Sequence, residues 1–84
     1  MNDLIKFPTN FSIKIIGINS SELIQSTINN IKQIIPDFIG QPKIKISLKN
    51  SYISLTFEVF VTSKHMLDNL YLELNKNPLV KFTL

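Results

Sequence analysis

The chain contains one histidine, His65, and no cysteine, so thiolate metal sites, disulfides and thiol redox chemistry are excluded at the outset. A lone histidine at the start of a helix, without a second histidine, reads as a solvated side chain rather than a metal ligand. The acids Glu22, Asp37, Glu58, Asp68 and Glu73 are scattered over several elements and form no obvious catalytic pair. No serine sits in a Gly-x-Ser-x-Gly elbow, and Ser63 beside His65 is adjacency along the chain only. Neither catalysis nor a metal or other cofactor is expected.

Binding chemistry is easier to find. Gly17-Ile-Asn-Ser-Ser21 joins a strand to a helix start, where backbone N–H groups can receive a carboxylate or phosphate. Gly17, Asn19, Ser20 and Ser21 are therefore candidate ligand contacts, and Gly17→Val would be expected to abolish binding while the fold survives. The plainer alternative is that Asn19 caps the helix and Gly17 allows close packing. Lys14 and Glu58 are expected near each other on adjacent strands, either as an interaction site or as an ordinary exposed ion pair. Ile16 and Phe60 are apolar on a face that should be wet. A partner, a second copy of the chain, or the N-terminal residues Leu4, Ile5 and Phe7 folding back would explain them.

What must position these groups follows from size and pattern. Eighty-four residues make one domain, here 1–84 with residues 1–10 as an N-terminal arm, and most apolar side chains are needed for its core. Fourteen isoleucines favour sheet. Phe11 to Ile18 reads as a central strand. Asn19 with Glu22 resembles a capping box before a helical stripe of Leu23, Ile24, Thr27, Ile28, Ile31, Ile34 and Ile35, stopped by Pro36. In the loop that follows, Phe38 and Ile39 are expected to plug the core. Lys43 to Lys49 alternates, with Ile44, Ile46 and Leu48 inward and lysines outward, as suits an edge strand. Asn50-Ser51 reads as a turn. Tyr52 to Thr62 reads as a second central strand with Ile53, Leu55, Phe57, Val59 and Val61 buried. Ser63 caps a second helix with the stripe Met66, Leu67, Leu70, Tyr71 and Leu74, terminated by Asn75-Lys-Asn-Pro78, and Leu79 to Leu84 closes the chain as a short strand. This is βαββαβ, an α+β ferredoxin-like sandwich: a four-stranded antiparallel sheet, order 4-1-3-2, with two helices on one face.

The series Phe7-Pro-Thr-Asn-Phe-Ser-Ile-Lys-Ile-Ile-Gly17, then Lys49-Asn-Ser-Tyr-Ile-Ser54, then Tyr71, Leu74 and Asn77-Pro-Leu-Val-Lys-Phe-Thr-Leu84 resembles the YbeD-like family of small bacterial proteins. The likeness runs from about residue 4 to the end, and its specificity lies in the order and spacing of the three stretches. It departs at Asn50, where the family pattern leads one to expect glycine, although asparagine adopts the same backbone region. The resemblance implies a ferredoxin-like fold similar to the ACT regulatory domains of amino-acid metabolism. Those domains bind amino acids at the loop corresponding to Gly17–Ser21, usually across a subunit interface. The resemblance carries no agreed activity, and some members are encoded near lipoate-attachment enzymes.

Other occupations of this fold find no support in the residues. A copper chaperone needs paired cysteines, and an acylphosphatase needs an arginine after the first strand; the chain has neither residue type. An RNA-recognition sheet needs stacked aromatics, where only Tyr52 and Phe60 stand at opposite ends of one strand. All nine basic residues are lysine and the formal charge is +3, a weak basis for phosphate recognition. The expected function is thus a non-catalytic, regulatory or interaction domain that binds a small metabolite or a protein in ACT-like fashion. A homodimer through an edge strand or the sheet face is one arrangement the pattern allows. The alternative is weak nucleic-acid binding through Lys14, Lys43, Lys45, Lys49 and Lys81. With no secretory signal at the start and no apolar run long enough for a membrane span, the expected location is cytoplasmic.

Overall fold

In the computed structural model, which describes residues 5–47 and 49–84, two ten-residue strands form the centre. β1 (Thr9–Ile18) and β3 (Tyr52–Val61) pair antiparallel along their whole length, from Thr9 opposite Val61 to Ile18 opposite Tyr52. Side chains alternate across a strand, so this register puts Ile13, Ile15, Ile53, Leu55, Phe57, Val59 and Val61 on one face, where all are buried. β2 (Lys43–Ile46) flanks β3 and β4 (Val80–Thr83) flanks β1, giving the order β2-β3-β1-β4 with every pair antiparallel. Both sheet edges are the strands expected to be edges.

Two helices cover the apolar face. α1 (Leu23–Ile34) buries Leu23, Thr27, Ile28 and Ile31, and α2 (Lys64–Asn75) buries Leu67, Leu70 and Leu74. Each fully buried aliphatic side chain of this kind contributes about 1.5–3 kcal/mol relative to exposure. Thr27, the one buried hydroxyl of α1, donates back to the Leu23 and Ile24 carbonyls at 2.9 Å each, so its polarity is satisfied within the helix. Ser63 caps α2 as expected, its hydroxyl accepting from the Met66 N–H at 3.1 Å.

Several local expectations do not hold. Asn19 is not the cap of α1, which begins at Leu23 after a turn in which Ser20 does the work. The Ser20 hydroxyl accepts from the Glu22 N–H at 3.2 Å, and its carbonyl accepts from the Leu23 N–H at 3.2 Å. β1 starts two residues early, because Thr9 and Asn10 already pair with Val61 and Phe60. β2 ends at Ile46, and Ile44 and Ile46 face the helix side but remain 50% and 52% exposed, since no helix reaches over that edge. The β2–β3 connection turns on Asn50 at φ 57°, the left-handed conformation that asparagine supplies in place of glycine. In the α1–β2 loop Phe38 is buried edge-on against Phe57, with ring centroids 5.9 Å apart, whereas Ile39 is 91% exposed. Leu4 and Leu48, placed against the sheet and in the core by the sequence, lie outside the described residues.

Candidate functional site

The β1–α1 loop and the open face of the sheet hold the residues singled out by the sequence, and the structure treats them differently. Gly17 is buried. A Cβ there would lie 2.7 and 2.8 Å from the Leu23 methyl carbons and 2.8 Å from the Leu79 carbonyl oxygen. Close packing therefore explains the glycine, and valine at this position would damage the fold instead of leaving it intact. Asn19 points away from the helix: its Nδ2 donates to the Asn50 carbonyl at 2.8 Å and its N–H to the Ser51 carbonyl at 3.1 Å. The neighbouring Ile18 N–H donates to the Leu79 carbonyl at 2.9 Å. The donors at Ile18, Asn19, Glu22 and Leu23 are thus already committed to holding the loop against the β2–β3 turn, the segment entering β4 and itself. Ser21 is exposed, and Ser20 is half-buried with its hydroxyl engaged in the turn.

On the open face Lys14 stands opposite Thr56, and Ser12 opposite Glu58. Lys14 and Glu58 are consequently diagonal neighbours, and the expected ion pair does not form. Glu58 accepts from the Ser12 hydroxyl instead. Among the described residues the ion pairs are Lys64–Asp68 and Lys76–Glu73, both on α2 or its end. Ile16 and Phe60 are not brought together either. Ile16 is opposite Ser54, six residues along β3 from Phe60 and so about 20 Å away.

What joins Ile16 was not anticipated. Phe82 of β4 lies directly opposite it, and Tyr52 stands on the same face beside Ser54. Phe82 reaches the open face because the β1–β4 register shifts between Ile16 and Gly17. In a regular strand Val80 and Phe82 would share a face. Here Lys81 is the extra residue, Val80 packs against the core opposite Gly17, and Phe82 is 53% exposed opposite Ile16. A bulge re-aims a side chain in this way. Only the alternation of Ile16 and Ile18 on the polar side of β1 hinted at this patch, and the bulge left no mark in the sequence. Two shallow depressions share Ile16 and Tyr52 at this end of the sheet. One, of about 190 Å³, extends to Lys45 and Ser54 on the β2 side; the other, of about 450 Å³, extends to Lys81 and Phe82 on the β4 side. Of the N-terminal residues expected to fold back, Phe7 packs against the core cluster, and among the described residues Tyr52 is 46% and Phe60 55% exposed.

Three further polar side chains make contacts within the fold. His65 is exposed in the first turn of α2, its Nε2 3.2 Å from Asn69 Nδ2. The Tyr71 hydroxyl donates to the Leu84 main-chain oxygen at 3.1 Å, and burial pushes its phenol above the usual range. Asn77, read as a helix terminator, is a buried hub. Its amide donates to Ser26 Oγ and Asn30 Oδ1 and its Oδ1 accepts from the Leu79 N–H, each at 2.9 Å. Among the described residues no group of three or more His, Asp or Glu could hold a metal ion, and no helix is long and apolar enough to cross a membrane.

Comparison with known proteins agrees with the sheet order and with the resemblance. Residues 2–84 match the model of the family described as "Protein of unknown function (DUF493)". A UPF0250 protein of Janthinobacterium sp. is 35% identical over 82 residues, covering 96% of this chain and 90% of the relative. One from Buchnera aphidicola subsp. Cinara cedri is 34% identical over 84 residues, covering 100% and 95%. The solution structure of HP0495 from H. pylori superposes with a TM-score of 0.70 at 15% identity, over 100% of this chain and 93% of that one. The ACT domain from GTP pyrophosphokinase of Chlorobium tepidum does so at 0.56 and 23% identity, over 90% and 97%. These two likenesses concern the fold. The chain belongs to the DUF493 family of UPF0250, YbeD-like proteins, with an ACT-like, ferredoxin-like fold.

Proposed function

We propose that this protein is a non-catalytic interaction domain whose working surface is the open sheet face around Ile16, Tyr52 and Phe82. One observation carries the reading: a bulge in β4 turns Phe82 outward to lie opposite Ile16, completing an apolar patch that is exposed among the described residues. Apolar patches rimmed by polar side chains are where soluble domains meet partners. A regulatory domain that binds a metabolite at Gly17, Asn19, Ser20 and Ser21 has less support, because Gly17 is packed shut and Asn19 is spent on the β2–β3 turn. A homodimer through β2 is disfavoured by charge. Two copies paired antiparallel about a two-fold axis would set Lys43 and Lys45 against the same lysines of the second copy.

A photo-crosslinking amino acid placed at Phe82 should capture one discrete protein in cells of the native organism. The same probe at Leu72, 63% exposed on the helix layer, should not. Equal capture at both positions, or none at Phe82, would overturn the reading.

A further inference from the structure

We propose that the segment docking on this face is an acidic stretch of a partner polypeptide carrying apolar side chains between its carboxylates; this rests on the open face being the working surface. The charge of the face is one-sided. Register puts Lys14, Lys43 and Lys45 on it, and Lys81 borders the β4-side depression. All four are exposed, and none joins an ion pair among the described residues. Among the described residues the opposing charge on the face is Glu58, which already accepts from the Ser12 hydroxyl. It stands four residues along β3 from Ser54, about 13 Å from the depressions.

The apolar and charged features are arranged together. Each depression has Ile16 and Tyr52 in its lining and one lysine at its outer side, Lys45 toward β2 and Lys81 toward β4. The two lysines stand on the outermost strands, three strand spacings or about 14 Å apart. A helix covers that span in roughly nine residues, so two apolar side chains would enter the depressions while flanking carboxylates reach the lysines. Both hollows are shallow, the β4-side one lined by four residues only, so they suit individual side chains of a partner better than a metabolite that a pocket must enclose. The lysines would set orientation and on-rate and the apolar contacts the lifetime.

The test is selection of short random peptides displayed against the immobilised full chain, followed by amide NMR of the best binder. Enriched peptides should carry Asp or Glu on both sides of aliphatic or aromatic residues, and shifts should centre on Ile16, Ser54 and Phe82. Lys45→Glu with Lys81→Glu should weaken binding about tenfold or more, and the Lys45→Gln, Lys81→Gln pair by less. All four substitutions are at exposed positions, so the dispersion of the amide spectrum should be unchanged. Uncharged or basic peptides docking on this face, or affinity unchanged by charge reversal, would overturn the acidic partner while leaving the working surface in place. Peptides that settle elsewhere, or no enrichment at all, would overturn both. Single-stranded RNA that moves the same amides at lower concentration than the best peptide would replace the polypeptide with nucleic acid.

Discussion

Replacing Asn77 by alanine is expected to lower the unfolding free energy by about 2–4 kcal/mol, the loss associated with breaking a buried polar network. The side chain is 8% exposed and makes three hydrogen bonds, to Ser26 and Asn30 on α1 and from the N–H of Leu79 just before β4. Its backbone joins in, the N–H donating to the Leu74 carbonyl and the carbonyl accepting from the Val80 N–H. Truncation removes the bonds but leaves the partners where water reaches them poorly, and stranded buried groups are costly. Leucine, close in size, should not rescue the protein, because it fills the space without replacing a donor or acceptor. In a domain of this size the loss corresponds to a melting temperature lower by roughly 10–25 °C. Thermal and urea unfolding of Asn77→Ala, Asn77→Leu and the exposed control Asn75→Ala measure it directly. The control should stay within about 0.5 kcal/mol of wild type.

Gly17→Ala is expected to cost about 2–3 kcal/mol, and Gly17→Val enough to threaten cooperative folding. The added carbon meets three atoms closer than 3 Å, and neither neighbour can retreat cheaply. Leu23 is fully buried, and the Leu79 carbonyl is held by the Ile18 N–H at 2.9 Å. Leu23→Ala relieves two of the three contacts, so the double variant should be less unstable than the sum of the singles by at least about 0.5 kcal/mol. Strict additivity in a denaturation cycle would mean that Gly17 and Leu23 do not press on each other. The consequence for function is practical: lost binding in a Gly17 variant would report lost fold, so the β1–α1 loop must be probed at Ser21 instead.

The fold was legible in the sequence because one pattern sufficed for each element. Alternation in β1 and β3 put Ile13, Ile15 and Leu55 on one face whatever the pairing, and the 3.6-residue stripe of each helix named its buried side. The surface was less legible because it depends on register and on tertiary partners. A shift of two residues separates a Lys14–Glu58 pair from the observed Lys14–Thr56 and Ser12–Glu58 pairs. The outward turn of Phe82 needs a bulge that no residue type announces, since Lys81 is neither glycine nor proline. Asn19 was a reasonable cap by residue type, but a turn carrying Asn50 at positive φ offered its amide a carbonyl and won. Asn77 likewise looked like punctuation after a helix, because its three partners come from α1 and from the loop into β4.

The open sheet face, rather than the β1–α1 loop, is the working surface proposed for this domain. An amide NMR titration of the labelled protein against pooled amino acids and central metabolites, and separately against pooled peptides, tests it most directly. Peptide pools are expected to shift Ile16, Tyr52, Ser54 and Phe82 while metabolite pools leave Asn19, Ser20 and Ser21 unmoved. Metabolite-induced shifts clustered at Gly17 to Ser21, over a sheet face that responds to nothing, would contradict that assignment.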